Sequence, residues 1–367
     1  MAGLSKSGAF SEKVSPFLRL KIEEIKRTNG ELSSEYLALF LQYFKLPKEN
    51  EQYDESNNRH WEADLNIQFE ESTSSLRGFE RLYRQSVVIE PTMICAAHCR
   101  YCLRANYEIF TLSETELKDI AIYCGSNAIK DDVSEVLISG GDPFIVPQKL
   151  SYLVESIIEY APNVQRIRIG TRLPLHDPKR VDNNIFEIFN RNRKRVHFEI
   201  ATQINHPVEL FSEAIEKFRM LQDLGVTIYS QNVLLKGIND NIETLVKLYE
   251  KLRDLHIEAH YLFHSVPMRG MHHFRTSVQK GLELANQLTN SGVISGRIKP
   301  MYALMTDIGK ITLYDGSIIS KTNKELLIQS SYNFNERKLW NPSWLLPTTA
   351  KVDSKGNLQV YYLDGQD

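Results

Sequence analysis

Val136-Leu137-Ile138-Ser139-Gly140-Gly141-Asp142-Pro143 is the stretch that decides the fold. Three consecutive apolar residues, two of them β-branched, read as a buried strand, and a Ser-Gly-Gly-Asp turn ends it in polar groups and a pliable backbone. Helical periodicity follows over 150–160. The unit recurs on both sides: Val87-Val88-Ile89, Ile167-Arg168-Ile169, His197-Phe198-Glu199-Ile200, the run from Thr227 to Leu235, and His260-Tyr261-Leu262-Phe263 are the other short runs. Amphipathic stretches at 114–127, 181–191, 209–224, 242–255 and 278–289 lie between or after them. Six strands alternating with helices in one sense require parallel strands joined by crossover helices. The expected fold is therefore α/β: a partial (β/α)6 TIM-like barrel over 78–276, a helical N-terminal region over 1–77, and a C-terminal β-rich segment over 277–367.

The flanks carry different patterns. Val14, Phe17, Leu18, Leu20 and Ile22 precede a Thr28-Asn29-Gly30 break, Tyr36 to Phe44 reads as a second, strongly apolar helix, and 48–59 is a polar connector. Near the other end, Ile311-Thr312-Leu313-Tyr314 and Leu326-Leu327-Ile328-Gln329 read as strands. Ala350-Lys351-Val352 and Leu358-Gln359-Val360-Tyr361-Tyr362 form a hairpin turned at Ser354-Lys355-Gly356-Asn357. Trp340, Pro342 and Trp344 mark the loop before it. This tail is expected to cover the barrel's open side or to form a subunit contact.

Composition excludes several function classes. A chain of 367 residues with 42% hydrophobic and 25% charged content is ordinary globular usage. Its net charge of -2 supplies no basic field for nucleic acid or an anionic membrane. No apolar run reaches the roughly 18 residues of a membrane span, and the first residues lack the apolar core of a leader, so a cytoplasmic protein is expected.

Three of the four cysteines, Cys95, Cys99 and Cys102, fall within eight residues just after the first strand. In such barrels the chemistry gathers at the C-terminal strand ends. A disulfide framework is excluded, because bridges within this stretch would close almost no chain. Structural zinc recruits a second pair of ligands, and no such pair is present. Cys124 lies too far along, on a helix, to be assumed a fourth ligand. Three thiolates on one loop suit a [4Fe-4S] cluster with one iron open to an outside ligand.

Cys-x3-Cys-x2-Cys after a first strand, an aromatic residue before the third cysteine, and a glycine-rich turn after the second strand resemble the radical S-adenosylmethionine enzymes. Within that superfamily, residues 78–313 resemble the lysine 2,3-aminomutase family. The likeness is carried by Val136 to Pro143, Ile167 to Arg172, Asn205-His206-Pro207, Gln231 to Asp240 and His273-Phe274-Arg275. The resemblance implies that Cys95, Cys99 and Cys102 hold the cluster. It implies that the open iron chelates S-adenosylmethionine, from which an electron releases a 5′-deoxyadenosyl radical. Ser139, Gly140, Gly141 and Asp142 would meet the methionine amino group, Gln231 would lie near the adenosyl group, and Gln203 stands where the family has a histidine. Arg104 would take the substrate carboxylate, with a fork suited to it.

The family also implies pyridoxal phosphate, bound through a lysine after a glycine turn. Lys310, in Thr306-Asp307-Ile308-Gly309-Lys310, is the candidate, and Arg81, Tyr83 and Arg84 are the candidate phosphate contacts. The partners implied are a small amino acid substrate and an external electron donor of flavodoxin or ferredoxin type, with no nucleic acid and no membrane; a homo-oligomer is left open. The activity expected is an isomerase that moves the α-amino group of an amino acid to the β-carbon. Within the same family, elimination, epimerisation or action on a protein lysine are the alternatives. A non-catalytic iron-sulfur redox protein is an alternative of another class, disfavoured by the retained Ser139-to-Asp142 turn and Gln231.

Two departures bear on substrate. Lysine-specific members place two aspartates against the distal ammonium; here Val266 and Met305 fall at those places, and neither can pair a cation. A buried ammonium without a partner costs several kcal/mol, so free lysine is not the expected substrate unless Asp307 or another acid takes over. His264 and Arg269 stand nearby in sequence as polar alternatives. The C-terminal cysteines that hold structural zinc in some aminomutases are absent, so no zinc-stapled assembly is expected.

Overall fold

A computed structural model of the chain describes residues 11–50, 68–69, 72–81, 83–105, 108–268, 270–314 and 316–367. The connector expected over 48–59 lies outside the described residues from 51 onward, as do the first ten residues and Arg269. Two helices lead, α1 (Pro16–Asn29) and α2 (Ser34–Tyr43), with Ser15 and Ser33 accepting from backbone amides at their N-termini. A small hairpin follows, β1 (Gln68–Phe69) with β2 (Ser72–Ser75).

The centre is a nine-stranded sheet in the order β11-β10-β9-β8-β7-β6-β5-β4-β3. Its edges, β3 (Phe79–Glu80) and β11 (Gly309–Thr312), are antiparallel to their neighbours. Between them β4 (Ser86–Thr92), β5 (Glu135–Gly140), β6 (Arg166–Gly170), β7 (His197–Thr202), β8 (Thr227–Leu234), β9 (Glu258–His264) and β10 (Met301–Thr306) all run parallel. The crossovers carry α3 (Glu114–Cys124), α4 (Pro147–Tyr160), the single turn α5 (Leu173–His176), α6 (Asn183–Asn192), α7 (Ser212–Asp223), α8 (Ile242–Asp254) and α9 (Val278–Asn290). The curled, part-closed parallel sheet confirms the α/β half-barrel, with one more parallel strand than the six expected. The extra strand, β10, reads Met-Tyr-Ala-Leu-Met-Thr, whose Ala, Leu and two Met are equally at home in a helix and give no clear strand signal.

Strand alternation divides the sheet into two faces. Val136, Ile138, Ile167, Ile169, Phe198 and Ile200 enter the main core with Leu117, Ile120, Leu153, Ile157, Phe189 and Leu221 of the helices. Each fully buried Ile or Leu contributes roughly 1.5–3 kcal/mol by leaving water. The alternate residues turn to the concave side, where Arg168 pairs with Glu135 at 2.9 Å and Glu199 at 3.0 Å across adjacent strands.

The C-terminal residues build a second, antiparallel sheet in the order β12-β13-β15-β14. Its strands are β12 (Ile318–Lys321), β13 (Glu325–Asn333), β14 (Ala350–Val352) and β15 (Asn357–Leu363). Before the final hairpin lies α10 (Phe334–Trp340), so Trp340 ends a helix instead of marking a loop; Asn333 caps it by accepting from the amides of Asn335 and Glu336. This unit is fastened to the sheet by buried groups. His264 Nδ1 bonds Tyr362 Oη at 2.9 Å, and Arg275 donates to the carbonyls of Ser265 and Asp364 at 3.0 and 3.1 Å. Next to the opposite edges of the nine-stranded sheet, the Lys310 amide donates to Tyr83 Oη at 2.9 Å, and Arg81 donates to the Trp340 carbonyl at 3.2 Å. The curl therefore brings the two edge segments into contact, with α10 against the gap.

Candidate active site

The loop that leaves β4 carries Cys95, Cys99 and Cys102, all half-buried and free of disulfides. The N-terminal helical region holds this loop from one side. Lys13 Nζ donates to the Cys95 carbonyl at 2.7 Å, the His98 amide to the Lys13 carbonyl at 2.8 Å, and the Arg100 amide to the Gln42 carbonyl at 2.8 Å. Arg100, nearly fully buried, pairs with Glu49. From the other side the β5 turn presses against the loop: the Gly141 and Asp142 amides donate to the carbonyls of Thr92 and Ile94 at 2.8 and 2.9 Å. Gly140 sits at φ +106°, where a Cβ would come within 2.5 Å of the Thr92 carbonyl oxygen, and a Cβ on Gly141 would meet the Met93 carbonyl carbon at 2.4 Å. Close backbone approach is the reason both are glycine.

The Asp142 carboxylate is buried and tied into the neighbouring strand ends. It accepts from Thr171 Oγ1 at 2.7 Å and from the amides of Arg172 and Phe144 at 2.9 and 3.1 Å, which ties the end of β5 to the end of β6. Burial pushes its pKa up to about 6 against those hydrogen bonds. Ser139 stays on the concave face beside Gly170, where a Cβ would crowd its hydroxyl at 3.1 Å. Gln231 stands on β8 at an irregularity in its pairing with β9. Gln203 directly follows β7, and its carbonyl accepts from Arg172 Nε at 2.9 Å.

Arg172 was visible in the sequence only as a charged residue after a strand, without an assigned role. Its guanidinium is buried, donates to Cys99 Sγ at 2.6 Å, pairs with Glu209, and lies over the rings of Tyr43 and Tyr101 at 5.7 Å. Glu209 in turn accepts from the amides of Asn205 and His206 at 2.7 and 2.9 Å. The Asn205-His206-Pro207 stretch is thus part of a buried frame: Asn205 also accepts from the Val233 amide at 2.8 Å and donates to Gln42 at 3.2 Å. No signal in sequence pairs Arg172 with Glu209, because a whole crossover and the strand β7 separate them, 37 residues in all.

The donor set fits an iron-sulfur cluster. Burial raises the Cys95 thiol, with the Asp142, Cys102 and Cys99 charges adding to it, so the three thiols are near one another, and burial pushes Cys102 up to about 11. Among the described residues no group of three or more His, Cys, Asp or Glu side chains is already drawn together to hold a metal ion, the three cysteines included. Cys124, buried in α3, packs in the core.

The second half of the site lies on the β10–β11 hairpin. Lys310 is paired across it with Met305. Its amine sits over the rings of Tyr83 at 5.3 Å and Tyr261 at 4.9 Å, and its carbonyl accepts from Tyr332 Oη at 2.6 Å. Burial, with the Arg168 charge adding and Glu135 opposing, lowers the amine to about 8. Tyr83 is thus brought to Lys310, but Arg81 and Arg84 are not. Both pair with Asp132, Arg81 at 3.1 Å and Arg84 at 2.7 Å, and Arg81 stacks on Trp340. Arg104 is held through Nε by Glu90, which fixes its guanidinium plane. Desolvation and Glu90 push the adjoining Glu80 up to about 7. His264 gives both ring nitrogens to Tyr362 and the Thr276 carbonyl, so it faces away from the concave side; Asp307 accepts from Thr349.

Comparison with known proteins places this geometry. A radical SAM superfamily model matches residues 89–251. The chain is 33% identical over 72% of its length to a putative L-lysine 2,3-aminomutase of Aquifex aeolicus, covering 72% of that protein. It belongs to the lysine 2,3-aminomutase family of radical SAM enzymes. It is also 29% identical to the L-lysine 2,3-aminomutase of Clostridium subterminale and 28% identical to the glutamate 2,3-aminomutase of Clostridioides difficile. The aligned part covers 64% and 63% of those two chains. The family implies a [4Fe-4S] cluster, S-adenosylmethionine, an external electron donor and a small-molecule substrate. No helix among the described residues is long and apolar enough to cross a membrane.

Proposed function

We propose that this chain is a radical SAM, pyridoxal phosphate-dependent 2,3-aminomutase that moves the α-amino group of a free amino acid to its β-carbon. The observation that carries the reading is Lys310: a lysine lowered to about 8, stacked between two tyrosine rings, with no hydrogen-bond partner on its amine among the described residues. A lysine that is readily neutral at physiological pH is the residue carbonyl chemistry needs. When bound, the cluster and S-adenosylmethionine supply a hydrogen-abstracting radical, and pyridoxal phosphate supplies the carbonyl that carries the migrating nitrogen.

The chain's own residues then have distinct tasks. Cys95, Cys99 and Cys102 hold the cluster, and Ser139 to Gly141 and Gln231 line the concave face for S-adenosylmethionine. Lys310 Nζ gives up its proton to become the nucleophile that retains pyridoxal phosphate. Arg104, its plane fixed by Glu90, takes the substrate carboxylate, and Tyr83 packs beside the bound cofactor. Arg81 and Arg84 are left out of this assignment, since Asp132 occupies both. Cytoplasmic work beside a flavodoxin or ferredoxin donor completes the reading.

Anaerobically reconstituted protein should be brown, form 5′-deoxyadenosine with dithionite, and show a pyridoxal phosphate absorption band that Lys310→Ala removes. Failure of wild-type protein to retain pyridoxal phosphate sinks the aminomutase reading, while 5′-deoxyadenosine formation alone would leave the radical chemistry standing.

A further inference from the structure

Met305, cross-strand partner of Lys310, packs with Val266, Met268 and Met271 from the segment after β9, and with Leu103 and Ala105 from the cysteine loop. Three separate chain segments therefore meet in one apolar cluster. It adjoins both residues assigned to the groups on the substrate's α-carbon: Leu103 and Ala105 flank Arg104, and Met305 is paired with Lys310 across the hairpin. Val266, Met268 and Met271 are 7%, 3% and 2% exposed, and the segment is braced by turn hydrogen bonds from the Met268 and Met271 amides to the carbonyls of Val266 and Met268.

Among the described residues the carboxylates nearest this cluster are committed elsewhere; Arg269, in the same segment, lies outside the described residues. Glu90 pairs with Arg104, Glu135 and Glu199 pair with Arg168, and Asp307 accepts from Thr349. The polar group expected here, His264, points into the C-terminal sheet. Three of the chain's seven methionines are gathered in the cluster. Methionine is the residue that fills irregular space and adapts to aliphatic shapes.

We propose that this cluster is the side-chain subsite and that the substrate is an α-amino acid with an uncharged aliphatic side chain, of the leucine or methionine class. The inference rests on the aminomutase reading above and adds the substrate class. An ammonium placed here would lose its water without gaining a partner among the described residues. An aliphatic chain would gain contact, with discrimination of roughly 10–200-fold per methylene.

The test uses the full chain, reconstituted with cluster and pyridoxal phosphate, and titrates leucine, isoleucine, methionine, lysine and glutamate against the pyridoxal absorption band. β-isomer formation is followed by mass spectrometry. An aliphatic amino acid should perturb the band at a concentration at least tenfold below lysine or glutamate and should be the one converted. Equal or tighter binding of lysine or glutamate overturns the inference and leaves the aminomutase reading intact; a loaded enzyme whose band no free amino acid moves overturns the inference and the free amino acid reading together, while pyridoxal phosphate dependence stands. A wild-type chain that takes up no pyridoxal phosphate defeats both at once.

Met305→Glu should shift the lysine-to-leucine specificity ratio toward lysine by at least tenfold. Met305→Leu, which keeps the volume and the apolar character, should leave that ratio within about threefold and guards against a folding defect. An unchanged ratio in a folded Met305→Glu protein removes Met305 from the subsite.

Discussion

The two halves of the site are held by opposite physics. Around the cysteine loop the frame is buried charge: Arg172 with Glu209 against Cys99, Arg100 with Glu49 beneath the loop, and Asp142 bonded into the next strand. Around Lys310 the frame is aromatic and apolar, with Tyr83, Tyr261 and Tyr332 about the lysine and the methionine cluster beside it. A charge-rich frame fixes groups that must carry or receive charge. An aromatic and apolar one, with the Arg168–Glu135 pair acting from farther off, desolvates an amine and favours its neutral form. The comparison predicts that damage to one half should leave the other's cofactor in place.

The largest effect should follow loss of a cluster thiol. Cys99→Ala should bring iron content and 5′-deoxyadenosine formation to background while pyridoxal phosphate is still retained. Loss of both cofactors together would show that the halves are not independent.

Lys310→Ala is the reciprocal case: the pyridoxal band should disappear while iron and 5′-deoxyadenosine persist. The wild-type lysine adds a pH signature with a definite sign. Its amine is lowered to about 8 from an ordinary value of 10.5, so the neutral, reactive form dominates above 8 and falls about tenfold per pH unit below it. Pyridoxal phosphate uptake should rise with pH and level off above 8. A midpoint near 10.5 would mean that the tyrosine cage does not desolvate the amine.

How much of this was legible in the sequence follows the same division. The cysteine loop is local, so three ligands in eight residues name themselves, and the alternating runs give six of the seven parallel strands. Lys310 was found through resemblance, but its cage was not. Tyr83 and Tyr261 are separated from it by 227 and 49 residues, and only the curl of the sheet brings them to it. Arg81 and Arg84 are candidate phosphate contacts, with Tyr83, because the family draws such contacts from just before the first strand. Their counter-ion, Asp132, lies in the connection before β5, 51 and 48 residues away, where spacing gives no warning. Val266 and Met305, singled out for lacking a carboxylate, do meet in one apolar cluster.

A third change tests the charged frame itself. Glu209→Gln should destabilise the fold by about 3–5 kcal/mol in denaturant unfolding, because it strands a buried guanidinium; the two side chains are only 9% and 2% exposed. Replacing the pair together, Arg172→Met with Glu209→Leu, should recover much of that stability and still weaken cluster retention, since Cys99 loses its donor. Full cluster retention in the double variant would reduce Arg172 to a purely structural residue.

The smallest effect is expected at Arg84, and its smallness is informative. The Arg84 side chain is 68% exposed, and its bond to Asp132 is a surface ion pair worth roughly 0.2–1 kcal/mol. Its partner's other arginine, Arg81, is 3% exposed and carries the inner half of the interaction. Arg84→Ala should therefore lower stability by no more than about 1 kcal/mol and leave the pyridoxal phosphate affinity unchanged. A tenfold or greater loss of that affinity, measured at constant ionic strength, would mean that Arg84 releases Asp132 and swings to the phosphate when the cofactor binds. The aromatic half of the site would then bring an arginine of its own to the cofactor, and the contrast between the two frames would narrow.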